Sequence, residues 1–580
     1  MMKRVVIAAF LAIAMFSTLA VAQNAREIYQ RALVQEQGAG NLRQAIELYQ
    51  QAAKEAGPDR ELAAKALIRA AGCYEKLGEP KAAALYTQVV SSYPEQREFA
   101  AEAQAALTKV VRGKPTGKVV PVSLSAEISS TVVPVLNNYC IGCHNQTRKV
   151  SGLALDSLRD HLVSSNPNAA ADAEVWEKVL TRLRSRTMPP AGQPRPDASV
   201  NQSTITLIET ALDRDYPQPL LSSERVTDSE LATRLSKFLW NADPDATLAD
   251  LARRGRLSDP ATLEQEVRRM LKDAKAESFT LRFFDPWLRL GDVVKAPLSA
   301  GSPAELDDAL RQSMRRETQL FITNLLREDR PAMELWSSNT TFVDDRLAQY
   351  YGIPNVTGNS FRRVTRTGNE RSGLLGQGAI LTLTSNYAPR SGKSRTSPVM
   401  RGKWFYSTFF GLSVPPPPPS VSPLEQDGSP DANTRKRMEA HRVNPNCANC
   451  HQTFEQFGIA LENFDAMGRY REQDGGEPVN ASGAFADGST WLTPVQFTEQ
   501  LSRYQDAFVT NATEVLLSYA LGRARHNSDG SISPGRYIHA GEEPAVRAIV
   551  REAAVSNYTW SSIIAGIVKS QPFQMKVLLP

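Results

Sequence analysis

Four of the chain's five cysteines fall in two copies of one short pattern, Cys140-Ile141-Gly142-Cys143-His144 and Cys447-Ala448-Asn449-Cys450-His451. C-x-x-C-H is the attachment signature of c-type haem. Its two thiols form thioethers to the porphyrin vinyls, and the adjacent imidazole supplies the proximal iron ligand. A structural zinc site draws its ligands from separated pairs, with any histidine spaced away from the cysteines. A thioredoxin-like C-x-x-C has no use for the trailing histidine, and structural disulfides explain neither His144 nor His451. The reading is therefore two covalently attached c-type haems (iron). Cys140, Cys143 and His144 hold the first, and Cys447, Cys450 and His451 hold the second.

The start of the chain agrees with that chemistry. Met1-Met2-Lys3-Arg4 is basic, Val5 to Ala20 is apolar, and Ala20-Val21-Ala22 is a small-residue ending. This order reads as a secretory signal over residues 1–22, cleaved before Gln23. The competing reading, an uncleaved anchor, is set against an apolar run that is short for a full span. The expectation is a periplasmic or otherwise extracytoplasmic protein with no membrane span after cleavage. A net charge of +5 on 580 residues describes an ordinary soluble surface, so nucleic acid is not implied. Arg182, Arg184 and Arg186, and the run Arg315-Arg316-Glu317, read as solvated helix faces.

Periodicity divides the rest. Gly40 to Tyr49 is echoed by Gly78 to Tyr86, close to the tetratricopeptide period. Residues 23–111 are therefore expected to form tetratricopeptide-like helical hairpins open to a protein partner, with a plain helical bundle as the alternative and Cys73 a small buried apolar residue. A linker follows over 112–123 and a haem module over 124–200, where Val132 to Tyr139 leads into Cys140 and Ala173 to Arg184 forms an amphipathic helix. A compact haem module needs a soft neutral sixth ligand on a stiff loop. Met188-Pro189-Pro190 supplies one, which makes Met188 the distal ligand and His161 its rival.

Residues 224–355 read as a central helical domain, with Asp259-Pro260 opening one helix. A mixed segment over 356–414 follows, in which Gly373 to Thr384 includes a candidate strand. The proline run from Pro415 begins an extended spacer over 415–430. The second motif lies in a module over 431–500, and a helical domain over 501–580 ends the chain. The fold class is mainly α and multidomain, with minor β near Phe361 to Thr384 and Gly475 to Trp491.

These blocks, in this order, resemble the planctomycete-type cytochrome c proteins, exported multidomain chains with a cytochrome c module followed by domains of unknown function. The resemblance is carried by Cys140 to His144 with Met188-Pro189-Pro190, Leu231 to Trp240, Arg254 to Leu257, Arg346 to Gly352 and Thr396 to Trp404. It continues through His441-Arg442, Cys447 to His451, Phe457 to Asp465, Gly468-Arg469, Tyr519 to Arg523 and Ser570 to Met575. It implies haem and export. Family members commonly carry further domains where this chain has only Asn201 to Ser223, and the tetratricopeptide-like front is not a general family feature.

Function turns on the second haem's sixth ligand. Met575 matches a family position and follows the helix Trp560 to Lys569. Met467, His441 and an open position are the alternatives. A His/Met iron relays electrons, whereas an open one binds peroxide or another small ligand. Three functions stay in view. The first is an exported dihaem cytochrome relaying electrons with a redox partner protein, as the electron-transfer part of a larger oxidoreductase. The second is a dihaem peroxidase-like enzyme, with Glu462 and Arg469 as acid/base and cationic helper. The third is a tetratricopeptide-type interaction scaffold with redox-sensing haems. His526 and His539 read as solvent-exposed loop residues.

Overall fold

The computed structural model describes residues 24–38, 42–57, 59–76, 81–93, 95–112, 124–163, 169–215, 221–295, 306–366, 371–385, 395–414, 433–443, 445–524, 538 and 540–577. The signal segment, nearly all of the linker over 112–123, the proline-rich spacer, His526 and His539 lie outside the described residues, as do the side chains of His161, Cys447 and Cys450. The chain is mainly helical, with small two-stranded sheets, and it forms two compact units, residues 1–121 and 122–580.

In the first unit, α1 (Leu42–Glu55), α2 (Arg60–Lys76), α3 (Lys81–Ser92) and α4 (Arg97–Arg112) pack each against the next. Ala45, Ala52, Ala66 and Ala70 are fully buried, so small side chains let neighbouring helices approach closely. Tyr29 and Tyr49 fill the wider gaps with ring centroids 5.4 Å apart. Cys73 is buried in the same core.

In the second unit, α5 (Val133–Tyr139), α6 (Ala169–Arg184) and α7 (Ala198–Asp215) surround a core built on Leu136, Trp176, Leu180 and Ile208. A separate, larger core joins everything from Val226 to Phe573. β1 (Leu221–Arg225) leads into α8 (Asp228–Trp240), whose start is closed by a capping box between Thr227 and Glu230. α9 (Pro260–Lys272) begins as the sequence predicts, with the Asp259 carboxylate accepting from the Ala261 and Thr262 amides. α10 (Asp308–Arg327) is followed by β2 (Thr340–Val343), α11 (Asp345–Tyr351) and β3 (Arg362–Thr365), with β2 and β3 paired antiparallel. The segment Gly373 to Thr384 is not a strand. It forms a short helical turn and then α12 (Gly378–Leu383), buried on all sides, where apolar alternation carries no period to separate helix from strand.

Two members of the charged runs expected to be solvated, Arg184 and Glu317, are buried. Arg184 is 5% exposed and reaches Glu209 at 2.5 Å and Asp506 at 3.6 Å. Arg186 pairs with Asp487 at 3.4 Å, and Arg182 reaches the Tyr406 hydroxyl at 3.5 Å. Arg184 and Arg186 thus meet carboxylates more than 300 residues away, and Arg182 meets a distant hydroxyl.

Glu317 is a second correction. It is fully buried on α10 and accepts hydrogen bonds from the Thr341 and Tyr351 hydroxyls, the latter at 2.6 Å. Burial pushes its carboxyl above the ordinary range and outweighs those hydrogen bonds. In the unfolded chain a glutamate releases its proton near pH ~4.3, whereas in the fold Glu317 holds it to higher pH. Unfolding thus releases a proton in that window, and stability falls as pH rises from the unfolded value toward the folded one. Glu317→Gln is expected to flatten this slope, read from guanidinium midpoints across a pH series. An unchanged slope would count against a protonated Glu317.

Candidate haem centres

The first motif is made by the end of a helix. At the C-terminus of α5 the Cys140 and Ile141 amides both donate to the Leu136 carbonyl, at 3.0 and 2.9 Å. The Cys143 and His144 amides then fold back on the Cys140 carbonyl at 3.1 and 2.9 Å. This tight turn separates the two thiols. Cys140 is half-buried against the module's core, while Cys143 is exposed. Burial, and then the neighbouring Cys143, push the Cys140 thiol up to about 11.

The loop after His144 is pinned to the motif. Asn145 Oδ1 accepts from the Thr147 and Arg148 amides at 3.0 and 2.9 Å, and the Arg148 guanidinium donates to the Gly142 carbonyl at 2.9 Å. The loop thereby brings the Val150 carbonyl to 3.1 Å from His144 Nδ1. With that proton on Nδ1, the lone pair of Nε2 is the one left for a metal.

Met188 follows α6 in a loop whose neighbours Thr187 and Pro189 are buried, and is itself half-buried. The Ser185 and Thr187 hydroxyls lie 3.1 Å apart beneath it, and both reach back to the end of α6. Trp176, 1% exposed in the core against which Cys140 packs, has an indole N–H with no acceptor among the described residues. Two thiols, an imidazole with one nitrogen engaged, a nearby-loop thioether and an unmatched buried donor together fit a thioether-linked haem.

The second motif is built differently. α13 (Pro398–Phe410), α14 (Thr434–Arg442) and α15 (Pro445–Ile459) pack together, with α13 and α14 both against α15. The motif lies in the first turns of α15 rather than after a helix end. His451 Nδ1 is hydrogen-bonded to the carboxylate of Glu455, one helical turn on and fully buried. Arg442 approaches the other oxygen of that carboxylate at 3.9 Å. The His441 ring packs edge-on against His451 with centroids 4.8 Å apart, and Phe454 lies 5.4 Å away on another side. His441 is 8% exposed, and Met438 beside it is fully buried. Again Nδ1 is engaged and Nε2 is left, the arrangement in which a carboxylate fixes the orientation of a metal-binding imidazole.

The remaining expected residues sit in other packing groups. Met575 lies on the strand Met575–Val577, which pairs with β1, and its carbonyl accepts from Arg234 at 3.2 Å. The Met467 amide donates to Asp465 at 2.8 Å, and its carbonyl accepts from the Tyr350 hydroxyl at 3.0 Å. Glu462 is buried between Arg401 at 3.1 Å and Arg471 at 2.8 Å, and also accepts from Thr396 at 2.6 Å. Burial drives the Glu462 carboxyl up and the Arg401 guanidinium down to about 10. Arg469 stacks over the Tyr350 ring at 4.8 Å. The acidic and cationic groups at His451 are thus Glu455 and Arg442. The i, i+4 spacing from His451 to Glu455 was the available signal for the first of them.

Among the described residues no helix is long and apolar enough to cross a membrane. No curated protein and no solved structure matches the chain. Three family descriptions match in sequence order. Residues 140–192 match planctomycete cytochrome C, residues 226–353 a protein of unknown function (DUF1592), and residues 371–474 a protein of unknown function (DUF1588). The first covers Cys140 to Met188, and the third covers the second C-x-x-C-H. Such cytochrome c domains are typically exported. The chain therefore contains a planctomycete cytochrome c domain, which implies covalently bound haem, followed by two domains of unknown function, the arrangement of the planctomycete-type cytochrome c proteins.

Proposed function

We propose that the protein is an extracytoplasmic dihaem c-type cytochrome that relays electrons, with a redox partner protein, as the electron-transfer part of a larger oxidoreductase. The carrying observation is the matched treatment of two histidines. His144 Nδ1 is held by the Val150 carbonyl and His451 Nδ1 by Glu455, so that each leaves Nε2 as the nitrogen for iron. Bound haem iron supplies a one-electron couple whose potential is set by its axial ligands and surroundings. The chain's part is to hold the rings, exclude water and set that potential.

Met188 is the sixth ligand of the first haem. For the second, Met575, Met467, His441 or an open position complete the site.

A pyridine haemochrome spectrum of the chain, matured with a cytochrome c assembly system, is expected to count two thioether-linked haems per polypeptide. Cys140→Ala/Cys143→Ala and Cys447→Ala/Cys450→Ala should each leave one. A wild-type count of one would overturn the dihaem reading, and the pair whose removal changes nothing would be assigned another role. A count of zero, where a control cytochrome matures, would overturn the electron-transfer account altogether.

A further inference from the structure

The two C-x-x-C-H motifs are separated by about 300 residues, yet both belong to one compact unit, and one run of packed side chains links them. The run starts at the loop that carries Met188. Thr187 and Arg182 both hydrogen-bond the hydroxyl of Tyr406, Arg182 at 3.5 Å. Tyr406 is 2% exposed on α13, where that helix crosses α15. Its ring lies 6.4 Å from that of Phe454. Phe454, 4% exposed, lies 5.4 Å from the ring of His451. Two aromatic side chains therefore fill the space between the residue next to Met188 and the proximal histidine of the second motif.

We propose that Tyr406 and Phe454 form the contact through which electrons pass between the haem at Cys140, Cys143 and His144 and the haem at Cys447, Cys450 and His451. The proposal rests on the dihaem reading above. Tunnelling decays less steeply through bonded and packed atoms than across a gap, and the interior between these groups is close-packed. The ion pairs of the first haem module with the C-terminal segment, among them Arg184 to Asp506, Arg186 to Asp487 and Arg547 to Glu177, join charged groups rather than rings.

The step is a single electron exchange. One iron goes from ferrous to ferric, the other from ferric to ferrous, and no bond forms or breaks. The first electron comes from an external one-electron donor, a redox protein in the cell or a photo-excited ruthenium complex in the assay. No proton moves, and burial keeps the Tyr406 phenol protonated, so the ring serves as a bridge rather than as a redox intermediate.

The test uses the full chain carrying both haems. After flash photoreduction by the ruthenium complex, redistribution of the electron between the haems is followed by transient absorbance. Tyr406→Leu and Phe454→Leu are each expected to slow redistribution by about tenfold or more, since a cavity replaces packed atoms on the path. Tyr406→Phe keeps the ring and should slow it far less. Haem count, reduced-minus-oxidised spectra and equilibrium potentials are measured on every variant and should match wild type, which a general structural lesion would not allow. If Tyr406→Leu fails to mature, Phe454→Leu and Tyr406→Phe carry the comparison. Unchanged rates in correctly loaded variants would overturn this path and leave the dihaem reading intact. A wild-type protein with one haem would overturn both.

Discussion

Gly402→Ala and Gly458→Ala are each expected to destabilise the second unit by about 3 kcal/mol or more, beyond the usual cost of one added methyl group in a core. The reason is the crossing of α13 and α15. A Cβ on Gly402 would collide with the Phe454 carbonyl, and one on Gly458 with the Pro398 carbonyl. The obstructing atoms are backbone, so no rotamer change relieves the clash and the two helices have to separate. Their separation moves Phe454, Glu455 and His451 together, because all three lie on α15. The loss should appear as a lower guanidinium midpoint, together with less haem attached per chain after maturation. Gly72→Ala is the control. It lies within α2 with nothing near the added atom, and should stabilise the first unit by about 0.5–1 kcal/mol. Midpoints of Gly402→Ala and Gly458→Ala equal to wild type would mean that the helices do not cross this closely.

Arg547→Ala is expected to cost about 3–5 kcal/mol, because it breaks a buried ion pair by removing one partner only. Arg547 lies on α17 (Glu543–Val555), beyond α16 (Gln505–Ala520), and meets Glu177 of the first haem module at 2.5 Å, with both side chains 2% exposed. It also holds Asp213 at 2.6 Å, an aspartate shared with Arg551 at 3.0 Å. Loss of the guanidinium takes from Glu177 its closest cation and leaves the Arg184 charge acting on it, while Asp213 keeps Arg551. The first haem module should then loosen from the C-terminal helices, read as faster limited proteolysis within residues 122–223 and a lower unfolding midpoint. Replacing both partners, Arg547→Met with Glu177→Leu, should recover much of the loss, since an apolar pair does not need the compensation. Arg547→Ala as stable as wild type would remove the pair as the anchor of this module.

What could be read from the chain was mostly local chemistry. The two C-x-x-C-H motifs need no partner to be recognised, since spacing alone brings thiols and imidazole together. Asp259-Pro260 carries its helix start within a few residues, and the helix Trp560 to Lys569 shows its own apolar face. The glycine-rich stretch after Asp474 signals the short hairpins β4 (Gln473–Asp474) with β5 (Glu477–Pro478) and β6 (Gly483–Ala484) with β7 (Thr490–Trp491).

Errors appeared where the deciding partner is distant. Arg184 and Glu317 have the local pattern of exposed helix faces, and no short window reveals that Asp506 covers one or that Thr341 and Tyr351 cap the other. Gly373 to Thr384 is buried all round, so it lost the period by which helix and strand are told apart.

The sequence by itself thus determined the haem chemistry of this protein and the helices that carry it, because thioether attachment and helix capping act over a few residues. Only the tertiary structure decided what surrounds each histidine and what lies between the two motifs. His441 and Phe454 against His451, and Tyr406 against Arg182 and Thr187, are brought together by helix crossings whose close approach depends on backbone packing rather than on any motif.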